Sequence, residues 1–457
     1  MQKHKLPIYL ATAVSAVLYL LLGYGIERPD TVALLSSYTA LFTLYVWIIK
    51  SGSESDLKFW LVVALLFRLL FIASLPVLSD DFYRFIWDGR LIVNGIHPFA
   101  ELPTFYLQPE HTVPGVNQGL FDRLNSQDYF TVYPPLAQAV FFLSVYISPD
   151  SILGSVLIMR VLILLAEVGT CFLLMKFLDE FGLKRERVLI YALNPLIILE
   201  LTGNLHFEAF LIFFVVLCLF LLSRTKIVLA GVSMAIAIAS KLIPLIFLPL
   251  FVGRIKTVQL IVFFISVAIT LLLMFYPLVN DNGFDGLTES LKLYFKSFEF
   301  NASIYYLVRE YGFWTKGYNT IQTVGWKLGV ISAMLISFVS LWRYELKRGA
   351  KGLSLIPQSD VPEDSLKRIP LVMMWVLTIY LLFATTVHPW YVTTLVMLSV
   401  LTGYRFALIW SGMIFLTYSG YTSTGYNENL WIVFVEYLSV IGYLAYELVW
   451  TRKSSSV

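Results

Sequence analysis

Long apolar runs recur along the whole chain, separated by short polar stretches that carry most of the charge. A helix needs ~20 apolar residues to cross a bilayer, and fewer where a bundle shields it. The pattern predicts spans at 7–23, 33–49, 58–78, 152–177, 188–203, 207–222, 227–240, 243–252, 257–277, 322–341, 369–387, 391–402, 406–418 and 431–450. These amount to about fourteen transmembrane helices. The fold class is therefore an all-α polytopic integral membrane protein. Several of the later runs are too short to cross alone. Pro244 and Pro249 interrupt "IASKLIPLIFLPL" and predict broken or half-length helices there. The first run follows a basic start but lacks a small-x-small cleavage site, so it reads as a retained span and not a signal peptide.

Lys and Arg in the short loops set the orientation. Basic clusters stand in "MQKHK", at Lys184/Arg185/Arg187, at Arg224/Lys226, at Arg254/Lys256, in "WRYELKRGAK" and in "TRK". With all of these cytoplasmic, both termini are cytoplasmic too. Residues 79–151, 203–207, 278–321, 388–390 and 419–430 then face outside. Residues 134–148, "PPLAQAVFFLSVYIS", are apolar enough to cross, but a crossing there inverts every later loop. They are expected to form a re-entrant or interface-lying helix within the first external loop. The chain thus reads as a single membrane domain, 1–457, with external loops at 79–151 and 278–321. The stretch 342–368, polar and rich in Gly, Pro, Ser and mixed charge, reads as a cytoplasmic connector.

Composition agrees: 58% of residues are hydrophobic and 14% charged, against about 25% charged in soluble domains. No room is left for a large soluble domain, and a net charge of +3 gives no reason to invoke nucleic acid. Cys171 and Cys218 both lie inside apolar runs and read as packing residues, not as a disulfide or metal pair.

The chemistry is concentrated on the external side. "VLSDDFYRFIWDGRLIVNGIHPFA" (77–100) sets Asp80 and Asp81 at a membrane exit, followed by Tyr83, Arg84, Trp87, Asp88 and Arg90. A carboxylate there can stay ionised, act as a general base or bind a cation. At helical spacing Asp81, Arg84 and Asp88 share a face, where such charges can also pair with one another. "TVYPPLAQ" presents Tyr133 before two prolines, and "LTGNLHFEAF" presents Asn204, His206 and Glu208, where nothing structural demands three polar groups. Lys241 stands in an apolar stretch, where a lone ammonium needs an anionic partner. "KSFEFNASIYYLVREYG" carries Glu299, Asn301 and Arg309, and "TTVHPWYVTT" carries His388, Trp390 and Tyr391. His206 and Glu208 do not share a helical face, and there is no HExxH, cysteine cluster or Gly-rich phosphate loop. A divalent ion such as Mg or Mn at Asp80/Asp81 is the one metal site the residues suggest, and no other cofactor is implied.

"SDDFYRFIWDGRLIVNGIHPF", "YPPLAQ", "NPLIILELTGNLHFEA", "SKLIPLIFLP", "FEFNASIYYL" and "HPWY" resemble, in that order, bacterial glycosyltransferases of the GT-C superfamily. The likeness is greatest to polyprenyl-phosphate-mannose-dependent mannosyltransferases (glycosyltransferase family 87-like) and covers roughly residues 58–405. It leaves the N-terminal 50 residues outside. The resemblance implies a GT-C fold in the inner membrane, with a cavity open to the external, periplasmic side. It implies transfer of a sugar, mannose above all, from a polyprenyl phosphate to a lipid or glycan hydroxyl, with inversion. It also implies an acid base in the first external loop, matching Asp80 of the pair. Phosphate charge grows as the donor bond breaks, so cations should surround it. Arg84, Lys241, Arg309 and His388 are the candidates. Trp87, Asp88, Tyr133, Asn204, His206, Glu208, Asn301, Trp390 and Tyr391 are the candidate sugar, acceptor or lipid contacts.

Two other readings compete. A transporter or flippase of a lipid-linked sugar would show inverted repeats and broken helices in both halves, and the pair near Lys241 has no evident counterpart in the sequence. An oligosaccharide ligase using a lipid-diphosphate donor would share most of the same chemistry.

Overall fold

The computed structural model describes residues 6–51, 54–279, 286–290, 292, 298–342 and 365–454. Among these, seven helices are long and apolar enough to cross a membrane. An eighth crossing arises if Pro195–Gly203 and Glu208–Ser223, bent by 112° at their junction, form one span. The chain is a multi-pass membrane protein.

Helices α1 (Leu6–Tyr24) and α2 (Thr31–Ser51) form a hairpin joined by residues 25–30. Helix α3 (Leu57–Leu69) is shorter than the apolar run 58–78 that predicts it. Its last part leaves helical geometry because side chains from the core take over its backbone bonds. Arg160 donates to the carbonyls of Ile72 (3.1 Å) and Ser74 (2.7 Å), and the Asn204 carbonyl oxygen accepts the Leu78 N–H at 3.2 Å. Residues 70–80 thereby carry the chain down to α4 (Asp81–Val93). Helix α5 (Pro135–Ile147) is the short apolar helix expected at 134–148, and it packs along α4. The long α6 (Ile152–Glu180) follows; its Glu167 pairs with Arg68 of α3 at 2.8 Å, both buried.

Beyond α6 the apolar run 188–203 is broken into short turns. Asn194 caps Leu196 and Ile197 ahead of Pro195, and residues Ile198–Gly203 form a π-helical turn. Helices α7 (Glu208–Ser223) and α8 (Ile227–Ser240) pack against each other, and α8 against α9 (Thr257–Val279). Residues Ile243–Phe251 form a 3-10 helix containing Pro244 and Pro249, as the prolines predict. Proline removes an N–H and blocks the α-helical bond behind it.

Helix α10 (Ile304–Lys316) precedes the spans α11 (Ile321–Leu341) and α12 (Ser365–Phe383). Shorter helices α13 (Thr393–Leu401) and α14 (Phe406–Met413) follow. A two-stranded hairpin, β1 (Tyr421–Thr422) and β2 (Gly425–Tyr426), leads into α15 (Leu430–Ser454). Residues 343–364, the bulk of the expected cytoplasmic connector, lie outside the described residues, as do 280–285, 291 and 293–297 of the expected second external loop.

Every stretch assigned by charge to the external side meets another of them. Residues 203–208 reach 388–391, residues 298–301 reach 385–388 and 426–428, and 419–426 reach the 25–30 loop, which in turn holds Asp80. One end of the bundle therefore collects them all.

Candidate active site

Helix α4 begins at this end. Asp80 is its N-cap residue, but its side chain makes no capping bond to its own helix. Instead Arg28, from the loop between α1 and α2, donates from Nη2 to Asp80 Oδ2 at 2.6 Å and from Nη1 to the Leu78 carbonyl at 3.3 Å. The Asp80 side chain is still 39% exposed, and Oδ1 has no hydrogen bond among the described residues. Asp81 lies in the first helical turn, where the helix dipole favours a carboxylate. Its Oδ1 accepts from Asn125 Nδ2 at 2.7 Å. Burial pushes the Asp81 carboxyl above the ordinary carboxylate range; the neighbouring Asp80 adds to this, while Asn125, Lys241 and the Tyr133 hydroxyl oppose it.

Lys241 caps the C-terminal end of α8 with an extended backbone. Its Nζ is 2.5 Å from Glu208 Oε1, at the start of α7, which supplies the anionic partner the sequence demanded. The ammonium also lies 5.0 Å from the Tyr391 ring and 5.9 Å from Trp390. It keeps 22% of its side chain exposed, whereas Glu208 is nearly closed off.

From Lys241 an aromatic track runs round the site. Trp390 stacks on His206 (3.6 Å between centroids) and on His388 (4.4 Å). His388 meets Phe300 at 4.7 Å, Phe300 meets Tyr426 at 4.9 Å, and Tyr426 meets Tyr421 at 4.8 Å. Arg28 then lies over Tyr421 at 4.4 Å, closing the circuit on Asp80. Backbone bonds from Phe300 N–H to Thr385 and from Val387 N–H to Phe300 fix the segment 298–301 in this ring.

The expected residues divide into two groups. Asp80, Asp81, Tyr133, His206, Glu208, Lys241, His388, Trp390 and Tyr391 are drawn to the ring or border it. Arg84, Trp87 and Asp88 are turned inward. Arg84 is 2% exposed and bonded to Asp88 (2.9 Å), Tyr129 and Ser126. Asp88 also accepts from Thr131 and Gln138, which ties α4 to α5. Trp87 is buried against Phe121. These three are framework, because the helix face they share is covered by the 121–138 segment.

Arg309 is also committed elsewhere, to Glu299 (2.9 Å), Glu310 and the Tyr306 ring. Asn301, with φ +46°, uses its N–H on Glu428 and its amide on Glu436, so it holds a corner and not a substrate. Asn204 bonds Leu78 and Glu200, a structural role that the sequence reading did not foresee. His206 Nε2 lies 3.3 Å from the buried Glu200, outside hydrogen-bonding geometry. As for His388, burial, then the Lys241 charge, lowers its pKa to about 3. Both causes disfavour the charged form of its ring.

Sequence reasoning missed Arg28, Asn125, Tyr421, Tyr426 and Glu428. Only Arg28 had a usable signal: a lone Arg between two predicted spans. Among the described residues no three His, Cys, Asp or Glu side chains are grouped to hold a metal ion. Arg28, Asn125 and Lys241 around Asp80/Asp81 do not make a donor set suited to a divalent ion, and no step is assigned to one.

A multi-pass chain with an acid pair, a partly exposed lysine and an aromatic ring at one end of its bundle is organised as a membrane glycosyltransferase. The MptA_B family model, described as alpha-(1->6)-mannopyranosyltransferase, N-terminal domain, matches residues 12–256. That is more than half of the 457 residues, and the chain belongs to this family. It is a mannosyltransferase. None of the curated proteins compared with the chain matches it. The matched segment holds Arg28, Asp80, Asp81, Glu208 and Lys241, whereas Phe300, His388, Trp390, Tyr421 and Tyr426 lie beyond it.

Proposed function

We propose that the chain transfers mannose from a polyprenyl-phosphate donor to a lipid or glycan hydroxyl at the external face of the inner membrane, with inversion. The observation that carries this is the exposed Asp80 carboxylate, fixed by Arg28 on the same rim as Lys241 and the aromatic track. A prenyl chain keeps the donor phosphate at the interface, which is where an acid pair beside a span would be of use. Asp80 takes the proton of the acceptor hydroxyl as that oxygen bonds to the mannose anomeric carbon. The bond from that carbon to the phosphate oxygen breaks, and its electron pair stays on the phosphate. Lys241 has three donors, of which Glu208 takes one, so it can meet the charge developing on the leaving phosphate. Asp81, anchored by Asn125, orients the acceptor or its neighbour.

The test uses purified protein, a lipid extract, and polyprenyl-phosphate-mannose, -glucose or -arabinose, with appearance of a new glycolipid as the readout. Asp80→Asn should keep donor binding and lower turnover by ~10²–10⁴, with Asp81→Asn milder. Near-normal transfer by the double Asn variant would refute the mechanism.

One observation favours the flippase reading: the membrane segment is broken twice, at 195–208 and at 243–251, as in proteins that bind at the midplane. Movement of a lipid-linked sugar in vesicles by Asp80→Asn, with no transfer by the wild type, would support it.

A further inference from the structure

The end of the bundle away from the ring holds two arginines that the transfer reaction does not use. Helix α13 leaves the ring after Tyr391 and ends at Leu401, and Arg405 follows in the turn before α14. Helix α15 runs the same way, so that Glu447 lies ~26 Å beyond Leu430 at about 1.5 Å per residue. Both oxygens of Glu447 accept backbone N–H groups there, from Arg405 at 2.7 Å and from Phe406 at 2.9 Å. Arg187, in the turn "LKRERV" after α6, reaches the same place: its Nη2 donates to the Thr402 carbonyl at 2.6 Å.

The partners at this end are distributed against expectation. The outermost arginines are the ones with carboxylates. Arg185, 55% exposed, is bonded twice to Asp179, and Arg224 is paired with Glu180. Arg187 and Arg405 are half-buried, yet neither forms an ion pair among the described residues. Arg405 Nη1 is buried with no hydrogen-bond partner among them. The two cations also repel each other: burial, then the Arg405 charge, lowers the Arg187 pKa from its ordinary value. A guanidinium withdrawn from water costs free energy unless an anion meets it. Glu447 spends its oxygens on the backbone, and one carboxylate beside two guanidiniums leaves a net positive charge.

Planar guanidinium forks match the oxygens of a phosphate, and the surroundings indicate which phosphate. Leu438, Ile441, Leu448 and Val449 of α15 are exposed, so acyl chains have an apolar surface leading to the arginines. Basic groups between spans at such an end suit the headgroups of an anionic leaflet. We infer that Arg187 and Arg405 hold the phosphate diester of an anionic membrane lipid at the end of the bundle away from the ring. No residue of the acid pair or the aromatic ring takes part, so the site stands whether or not the donor reading does.

Native mass spectrometry of the full chain, stripped of lipid in detergent and titrated with phosphatidylglycerol, measures the binding. Wild type should retain one phosphatidylglycerol more firmly than the rest and prefer it to phosphatidylcholine. Arg405→Gln and Arg187→Gln should each weaken that first binding about tenfold or more, the equivalent of one charge-assisted hydrogen bond. Arg185→Gln, which removes an exposed and paired charge from the same end, should leave it unchanged. Thermal midpoints separate binding from folding. Without lipid, Arg405→Gln should melt no lower than wild type, since it removes a charge that has no partner. Phosphatidylglycerol should then raise the wild-type midpoint and not that of the variant. Equal phosphatidylglycerol retention by wild type and the variant carrying both Gln substitutions would overturn the site. An equal loss in Arg185→Gln would overturn it too, by reducing the effect to overall surface charge. Displacement of the lipid by inorganic phosphate, with the same rise in midpoint, would assign the pair to a soluble anion and overturn the lipid.

Discussion

Lys241 shows how much a single residue can reveal and conceal. Its charge in an apolar stretch announced a partner, because an unpaired ammonium in that setting is costly, and Glu208 is that partner. Lys241→Met should raise the apparent donor KM about 10- to 100-fold, the equivalent of one charge-assisted hydrogen bond. Donor titration of the purified variant checks this; unchanged donor affinity with a lower thermal midpoint would make Lys241 a purely structural ion. The acid pair was legible for the same reason, since two carboxylates at a membrane exit require an explanation. Arg84, Trp87 and Asp88 misled because spacing reports that residues share a helix face but not whether that face looks out or in. Here it looks in, and Asp88 is fully buried. Arg28 stood out as a lone Arg between two predicted spans, but the partners it touches, Asp80 and Tyr421, lie far from it in sequence.

At the scale of elements, the spans 7–23, 33–49, 152–177, 257–277, 322–341, 369–387 and 431–450 were readable from hydropathy, as were the short helices at 134–148 and 227–240. The breaks were not. Apolar runs buried on all sides look alike whether they are continuous helix, π-turn or 3-10 segment, since periodicity carries no signal there. What stabilises the break at 203–208 is Arg160 of α6. Its guanidinium donates to the carbonyls of Thr202 (2.9 Å) and Gly203 (3.1 Å) on one side and of Ile72 and Ser74 on the other. One buried cation thus clamps the strand of chain leading to Asp80 against the one leading to His206. Arg160→Met leaves those four carbonyls without their donor and should cost about 3 kcal/mol or more. The thermal midpoint of detergent-solubilised protein measures it, and an unchanged midpoint would show that the break holds itself.

For the molecule as a whole, charge bias in short loops grouped the segments that meet at the site before any contact was known. It could not supply the order in which they meet round the ring, which depends on side-chain contacts between segments hundreds of residues apart. The orientation it implies is testable in a background with Cys171→Ala and Cys218→Ala. A membrane-impermeant thiol reagent applied to intact cells should label Glu110→Cys, in the loop 79–151, and should reach Lys184→Cys, beyond α6, only after permeabilisation. The reverse pattern would place the acid pair on the cytoplasmic side and remove the external donor from consideration.

The contact between Arg28 and Tyr421 joins the first loop of the chain to nearly its last turn. A nascent polypeptide still on the ribosome at residue 400 would already hold both aspartates and Lys241, yet the guanidinium beside Asp80 would have no ring to lie against. The last-made segment of the chain thus completes the surroundings of one of the first.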